Sequence, residues 1–104
     1  MKEGIALIMD FFLAHLRETL EAINKLIDNK VYRVDTKRIR RCNHIKSSDR
    51  SKINFIWRSL EYLKVEGILE INGSYHPKTY NIKTKQKLDV DDIMSNIEKN
   101  RSLS

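Results

Sequence analysis

Residues 3–28 carry the pattern that most restricts how this chain can fold. After Gly4 the segment contains neither proline nor glycine. Residues three and four positions apart share one face of a helix, so an apolar repeat at these spacings predicts a long helix with an a/d-type seam. The seam consists of Met9, Leu13, Leu16, Leu20, Ile23 and Ile27.

A second apolar stripe lies beside this seam and consists of Ile5, Ile8 and Phe12. One interpretation is that the helix merely covers its own domain. The alternative, which we favour, is that the excess apolar surface pairs two copies of the chain as a homodimer. Ile93, Met94 and Ile97, from a C-terminal amphipathic helix over residues 88–100, are expected to join that interface.

The chain has 104 residues, which is enough for a single domain with one core. Its net charge of +6 is unevenly placed. Residues 30–58 contain ten basic and only two acidic residues, a local charge of +8 against −2 for the rest of the chain. Such a concentration of positive charge favours a partner that is a polyanion.

Shorter patterns predict the elements that follow the first helix. Residues 31–34 alternate as in a short strand, and residues 35–45 form a helix with Asp35 as its N-cap. Residues 46–49 form a turn, and Ser48 or Asp49 caps a helix over residues 50–66. Residues 68–72 and 79–83 form a hairpin with a six-residue loop, and Asp89 caps the last helix.

The helix over residues 50–66 has two different faces. Its inward arc is expected to consist of Ile53, Ile56, Trp57, Leu60, Leu63 and Lys64. The opposite face consists of Ser51, Asn54, Phe55, Arg58 and Tyr62. Two aromatic rings beside an arginine and an amide predict that this outer face contacts a partner.

The order helix, short strand, helix, turn, helix, hairpin and helix resembles the winged helix-turn-helix superfamily of DNA-binding transcription regulators. The resemblance covers residues 30–84, and its most specific part is the phrase LEYLKVEGILEI at residues 60–71. It rests on the hairpin from Ile68 to Ile82 and on Val34, Ile39, Ile45, Ser47, Ser48, Ile56, Leu60, Leu63, Gly67 and Ile68. We therefore expect an α+β fold in which a long N-terminal helix, residues 1–29, and a C-terminal amphipathic helix flank a winged helix-turn-helix core.

The resemblance implies that the outer face of the helix over residues 50–66 enters the major groove of double-stranded DNA. Arg58 would then donate to guanine O6 and N7, Asn54 would pair with adenine, and Phe55 would cover a thymine methyl group. The hairpin tip would touch the backbone or the minor groove. The expected DNA-contacting residues are Arg38, Arg41, Lys46, Ser47, Ser48, Arg50, Ser51, Lys52, Asn54, Phe55, Arg58, Tyr62, Tyr75, His76 and Lys78.

The function we expect is sequence-specific DNA binding by a homodimeric transcription regulator. The alternative is an adaptor that binds protein through Phe55 and Tyr62, and these rings could also pack against the last helix or a partner chain. An enzyme is not expected, because the chain offers no nucleophile–base pair, no glycine-rich phosphate loop and no carboxylate dyad.

We expect no metal, no cofactor and no small-molecule ligand. His44 and His76 lack cysteine or carboxylate partners at metal-binding spacing, and His15 is expected to be structural. The lone Cys42 indicates a small core residue in a reducing, cytoplasmic setting. Asp10 interrupts the apolar run over residues 4–14, so we expect neither a targeting signal nor a membrane segment.

Overall fold

A computed structural model describes residues 2–75 and 78–103, and it describes only the backbone of residues 2–9, 73–75 and 100–103. The described residues form four helices and a three-stranded antiparallel sheet, which confirms the α+β class. Along the chain the elements are α1 (Lys2–Asp28), β1 (Arg33–Val34), α2 (Thr36–Cys42), α3 (Arg50–Val65), β2 (Leu69–Tyr75), β3 (Lys78–Ile82) and α4 (Val90–Leu103).

The sheet joins residues that are far apart in the sequence. Its strand order is β1-β3-β2, and both pairings are antiparallel. Val34 lies opposite Tyr80, and Leu69 lies opposite Ile82. The strand β1, which precedes α2, therefore pairs with the hairpin that follows α3. This pairing joins the two ends of residues 33–82, which also contain α2 and α3.

Three aspartates cap the N-termini of helices, as the sequence predicts. Asp35 accepts a hydrogen bond from the Arg38 amide at 2.7 Å, and Asp49 accepts one from the Lys52 amide at 3.2 Å. Asp89 does the same for α4, at 3.1 Å from the Asp92 amide. Each carboxylate satisfies an amide that has no partner within its helix, which confirms the predicted caps.

The predicted end of α2 is wrong. The helix ends at Cys42 rather than at Ile45, because His44 adopts the left-handed conformation with φ of +55°. The Ile45 amide then donates back to the Arg40 carbonyl at 3.0 Å and closes the helix end. The connection to α3 is therefore residues 43–49, longer than the predicted turn over residues 46–49.

The hairpin is also tighter than predicted. β2 runs to Tyr75 and β3 starts at Lys78, so the six-residue loop over residues 73–78 is wrong. A register shift between Ile71 and Tyr75 accommodates the longer strands. Its turn, His76 and Pro77, lies outside the described residues.

The helix α1 supplies much of the core of its own chain. From Leu13 onwards every member of its predicted seam is buried, and these are Leu13, Leu16, Leu20, Ile23 and Ile27. They join a cluster with buried residues of α2, α3 and the sheet, among them Ile39, Ile56, Leu60, Leu63 and Tyr80. The interpretation of this part of the seam as a dimer interface is wrong, because the rest of the domain already covers it.

The C-terminal helix packs on the same core. Met94 is buried, so the prediction that it forms a dimer contact is wrong. Ile93 and Ile97 are half-buried against the cluster, and their dimer contact stays a prediction. Asn24 of α1 fixes the segment that leads into α4. Its side-chain amide donates to the Leu88 carbonyl at 2.9 Å, and its side-chain oxygen accepts from the Leu88 backbone amide at 2.7 Å. The predicted interface residues Ile5, Ile8 and Met9 have side chains outside the described part of the chain.

Truncation of Leu16 tests this account of the core. Leu16 is fully buried, so Leu16→Ala should lower the free energy of unfolding by about 2–5 kcal/mol through lost burial and the cavity left behind. Val65→Ala is the control, because Val65 is 77% exposed at the end of α3 and its truncation should cost about 0.5 kcal/mol or less. Urea unfolding of both variants measures the difference, and similar losses would contradict the assignment.

Candidate nucleic-acid interface

The face that α3 turns inward differs from the predicted one. The helix buries Ile56, Ser59, Leu60 and Leu63. Ser59 tolerates burial because its hydroxyl donates to the Phe55 carbonyl at 2.8 Å. Trp57, predicted to face the core, is 45% exposed. The helix is thus rotated about its axis, towards Ser59 and away from Trp57.

The helix α1 covers the side of α3 that carries its two smaller aromatic rings. Phe55 stacks on His15 with 4.9 Å between ring centroids, and Tyr62 meets Phe12 edge-on at 6.0 Å. Both geometries are favourable for aromatic pairs. The prediction that Phe55 and Tyr62 face DNA is therefore wrong.

These ring contacts also bear on three other expectations. Phe55 and Tyr62 are half-buried against the first helix, so they do not form an open contact patch. Tyr62 also lines a cleft with Ile93, Asn96 and Ile97 of α4, so this ring borders the last helix as well. The expectation that His15 is structural is confirmed, since its imidazole both stacks on Phe55 and lies 3.5 Å from Glu18. Phe12 is half-buried by the same packing.

The exposed side of α3 keeps four polar residues of the predicted interface. Ser51, Asn54 and Arg58 follow one another at spacings of three and four, and Arg50 lies beside them. All four side chains are exposed. We call Arg50, Ser51, Asn54 and Arg58 the outer strip. It offers hydroxyl, amide and guanidinium groups to a partner along one helix face.

Most cations around the outer strip have no acidic partner. Of the ten basic residues over positions 30–58, only Lys52 forms an ion pair with an acid in the described part of the chain, 3.9 Å from Asp49. Arg38 and Arg41 on α2, and Lys46, Ser47 and Ser48 in the turn, are exposed. The positive charge of this segment is therefore available to an external anion.

Two basic residues that the sequence reasoning missed extend this cationic surface along β1. Lys30 and Arg33 line an open cleft of about 530 Å³ together with Arg38, Tyr32 and Asn81. Both residues lie inside the basic segment, so the charge count was the available signal. The charge count does not predict where these two residues lie, because their position depends on the pairing of β1 with β3.

Lys78 is held by a carboxylate instead of extending freely from the hairpin. Its ammonium donates to Glu61 of α3, which also pairs with Lys64 at 2.8 Å. Burial alone would raise the pKa of Glu61, but hydrogen bonds and charges from the two lysines together lower it below its ordinary 4.5. The contact ties the tip end of the hairpin, where Lys78 pairs with Tyr75, to α3. The other predicted hairpin-tip contacts, the Tyr75 side chain and His76, lie outside the described residues.

The carboxylate of Glu61 also affects the pKa of Tyr80. Tyr80 is buried beneath the sheet, and this burial, followed by the negative charge of Glu61, raises the pKa of its hydroxyl well above the ordinary value. The phenol therefore stays neutral, and it adds no charge beside the cluster of Glu61, Lys64 and Lys78.

Trp57 is the aromatic residue that lies on the exposed side of α3. It borders two adjoining open clefts, of about 740 and 490 Å³, and Ile53 and Thr36 line both of them. The larger cleft also includes Arg50, Ser51 and Asn54, and the smaller one includes Asp35, Lys37, Arg40 and Lys78. We call the two together the Trp57 cleft. It places an indole directly beside the outer strip.

Comparisons with protein-family models, curated proteins and solved structures find no match to this chain. Among the described residues, no helix is sufficiently long and apolar to cross a membrane, and no group of His, Cys, Asp or Glu could hold a metal ion. The candidate site therefore has to be interpreted from its own geometry and charge.

The lowered pKa of Glu61 predicts how its contribution to stability depends on pH. A carboxyl group whose pKa is depressed by folding stabilises the protein above its unfolded-state pKa, and this contribution is lost as pH falls through the folded-state value. The free-energy difference between wild type and Glu61→Gln should be about 1 kcal/mol or less and constant above about pH 5.5. It should shrink below pH 4.5.

Urea unfolding at several pH values between 7 and 3 measures this difference. Glu70→Gln is the matched control, because Glu70 is exposed on β2 and makes no ion pair with a described residue. A Glu61→Gln difference that stays flat down to pH 3 would show that the lysine pairing does not stabilise the fold.

Proposed function

We propose that the chain is a winged helix-turn-helix protein that binds double-stranded DNA sequence-specifically, with α3 as the helix that enters the major groove. In this proposal α2, residues 43–49 and α3 form the helix-turn-helix unit. The wing is the β2–β3 hairpin, joined by β1 in the order β1-β3-β2. The observation that carries the proposal is the outer strip on α3, opposite the helix's buried face.

The outer strip has the chemistry that base recognition requires. The major groove admits an α-helix, and each base pair presents there a distinct set of donors and acceptors. The Arg58 guanidinium can donate two hydrogen bonds to guanine, and the Asn54 amide can both donate to and accept from adenine. Because both side chains are exposed and neither is bonded to a described residue, they can reach base edges without breaking a contact.

The cations around the outer strip support binding to the phosphate backbone. Arg41 and Lys46 flank α3 from α2 and the turn, and Arg33 and Arg38 share the cleft beside β1. Neutralising phosphates releases condensed counterions, which gives affinity that does not depend on sequence. The backbone contacts would fix the register in which the outer strip meets the bases.

We also propose that the DNA-binding form is a homodimer that regulates transcription. Fewer residues support a dimer than the sequence pattern indicated, because the α1 seam from Leu13 onwards is buried within its own chain. What remains is Phe11, a large exposed apolar side chain on α1, with the half-buried Phe12, Ile93 and Ile97 of the predicted interface. Two-fold pairing through this part of α1 would present two α3 helices to sites about 34 Å apart, and would require a palindromic operator.

Replacing the two base-reading residues tests the proposal directly. Asn54→Ala and Arg58→Ala should each weaken binding to the preferred sequence by about 1–3 kcal/mol and change binding to random DNA much less. Fluorescence anisotropy with a duplex enriched from a random library, competed by unselected DNA, measures both losses. Lys99→Ala on the exposed side of α4 is the control and should change neither. Equal losses on both DNAs would make these side chains phosphate contacts.

The salt dependence of binding tests the phosphate contacts. If about six phosphates are neutralised, affinity should fall by roughly 10³ between 50 and 200 mM salt. Arg41→Ala and Lys46→Ala should each lower the slope of log affinity against log salt by about one, on every sequence. Lys99→Ala should leave the slope unchanged. An unchanged slope in the first two variants would remove α2 and the turn from the interface.

A further inference from the structure

The exposure of Trp57 needs an explanation that the outer strip alone does not give. Three large hydrophobic side chains are exposed among the described residues: Phe11, Trp57 and Val65. Trp57 alone among them lines a cleft with several cations, namely Arg50 on one side and Lys37, Arg40 and Lys78 on the other. An indole left open to water next to such a rim fits a ligand that is both apolar and anionic.

The position of Trp57 relative to Asn54 narrows the choice of ligand. Both residues line the larger part of the Trp57 cleft, and Ile53 provides a second apolar side chain there. If Asn54 pairs with adenine, the thymine on the opposite strand presents its C5-methyl group in the same groove. That methyl is the apolar group that base edges display in the major groove.

We propose that Trp57, supported by Ile53, covers thymine methyl groups next to the adenine that Asn54 reads. This inference rests on the proposed function of α3. It assigns to Trp57 the role that the resemblance gave to Phe55, whose ring is stacked on His15 and therefore turned away. The site would thus select consecutive A·T pairs, with the amide recognising one base and the indole excluding water from the neighbouring methyl groups.

The charges around the Trp57 cleft favour duplex DNA over a protein as the occupant. Two carboxylates lie close to the cleft. Asp35 lines its smaller part and is engaged as the N-cap of α2, accepting from the Arg38 amide at 2.7 Å, and Glu61 pairs with Lys64 and Lys78, so cations outnumber acids around the indole. Lys37, Arg40 and Arg50 have no acidic partner among the described residues. A cleft of this kind can hold a base edge while its rim contacts the flanking backbone.

Removing the thymine methyl without changing base pairing provides the test. Duplexes that wild-type protein enriches from a random library are amplified with either dTTP or dUTP, and both pools are measured by anisotropy. Wild type should bind the uracil pool more weakly, by about fourfold for each covered methyl group. Trp57→Ala should bind the two pools equally, and Trp57→Phe should keep part of the preference.

Lys99→Ala is the control, because it removes an exposed side chain of α4 that takes no part in the proposed interface, and it should keep the full preference for thymine. If wild type binds both pools equally, or if Trp57→Ala keeps the preference, the assignment to Trp57 is overturned while the proposed function stands. If wild type enriches no sequence at all, the proposed function fails and the assignment fails with it.

The intrinsic fluorescence of the protein gives a second readout that needs no variant. Trp57 is the single tryptophan of the chain, so all indole emission reports on this cleft. Binding of the thymine pool should lower the acrylamide quenching constant severalfold, because the ring becomes covered. An indole that stays equally accessible in the saturated complex would overturn the inference, even if the variants fail to fold.

Discussion

The packing of α1 across α3 is the contact on which the rest of the site depends. Leu16 and Leu20 of α1 are buried in one cluster with Ile56 and Leu60 of α3, and the ring pairs at the edge of that cluster fix the rotation of α3. A helix held at a defined rotation presents a defined set of side chains to the other side. The outer strip and Trp57 are exposed because Phe55 and Tyr62 are not.

The sheet holds the opposite edge of α3. Glu61 accepts from Lys78 of β3 and pairs with Lys64, so the hairpin is tied to the same helix that α1 orients. This arrangement uses the carboxylate of Glu61 for an internal contact, and the cations of α2 and the turn form no ion pair with an acid among the described residues. Contacts with α1 on one side and with the hairpin on the other hold α3 rigidly, and base recognition requires polar side chains that are placed rigidly.

Much of the fold follows from local patterns in the sequence, whereas the interface depends on packing. Aspartate caps and apolar spacing predicted where α3 and α4 begin, since these signals act within one helical turn. They could not predict the rotation of α3, because its apolar and aromatic residues, with Phe55 and Trp57 on different sides, cover more than half its circumference. The coverage of the α1 seam likewise depends on the whole domain, and the early end of α2 depends on one backbone angle at His44.

The central claim is that the exposed side of α3 is the surface that meets DNA. A titration of isotope-labelled protein with the enriched duplex, followed by two-dimensional NMR of backbone amides and the Asn54 side-chain amide, tests it most directly. The account predicts that the largest shift changes fall in residues 46–58 and on that side chain, with small changes at the buried positions of α1. Changes concentrated on α1 or α4, with the outer strip unaffected, would contradict it.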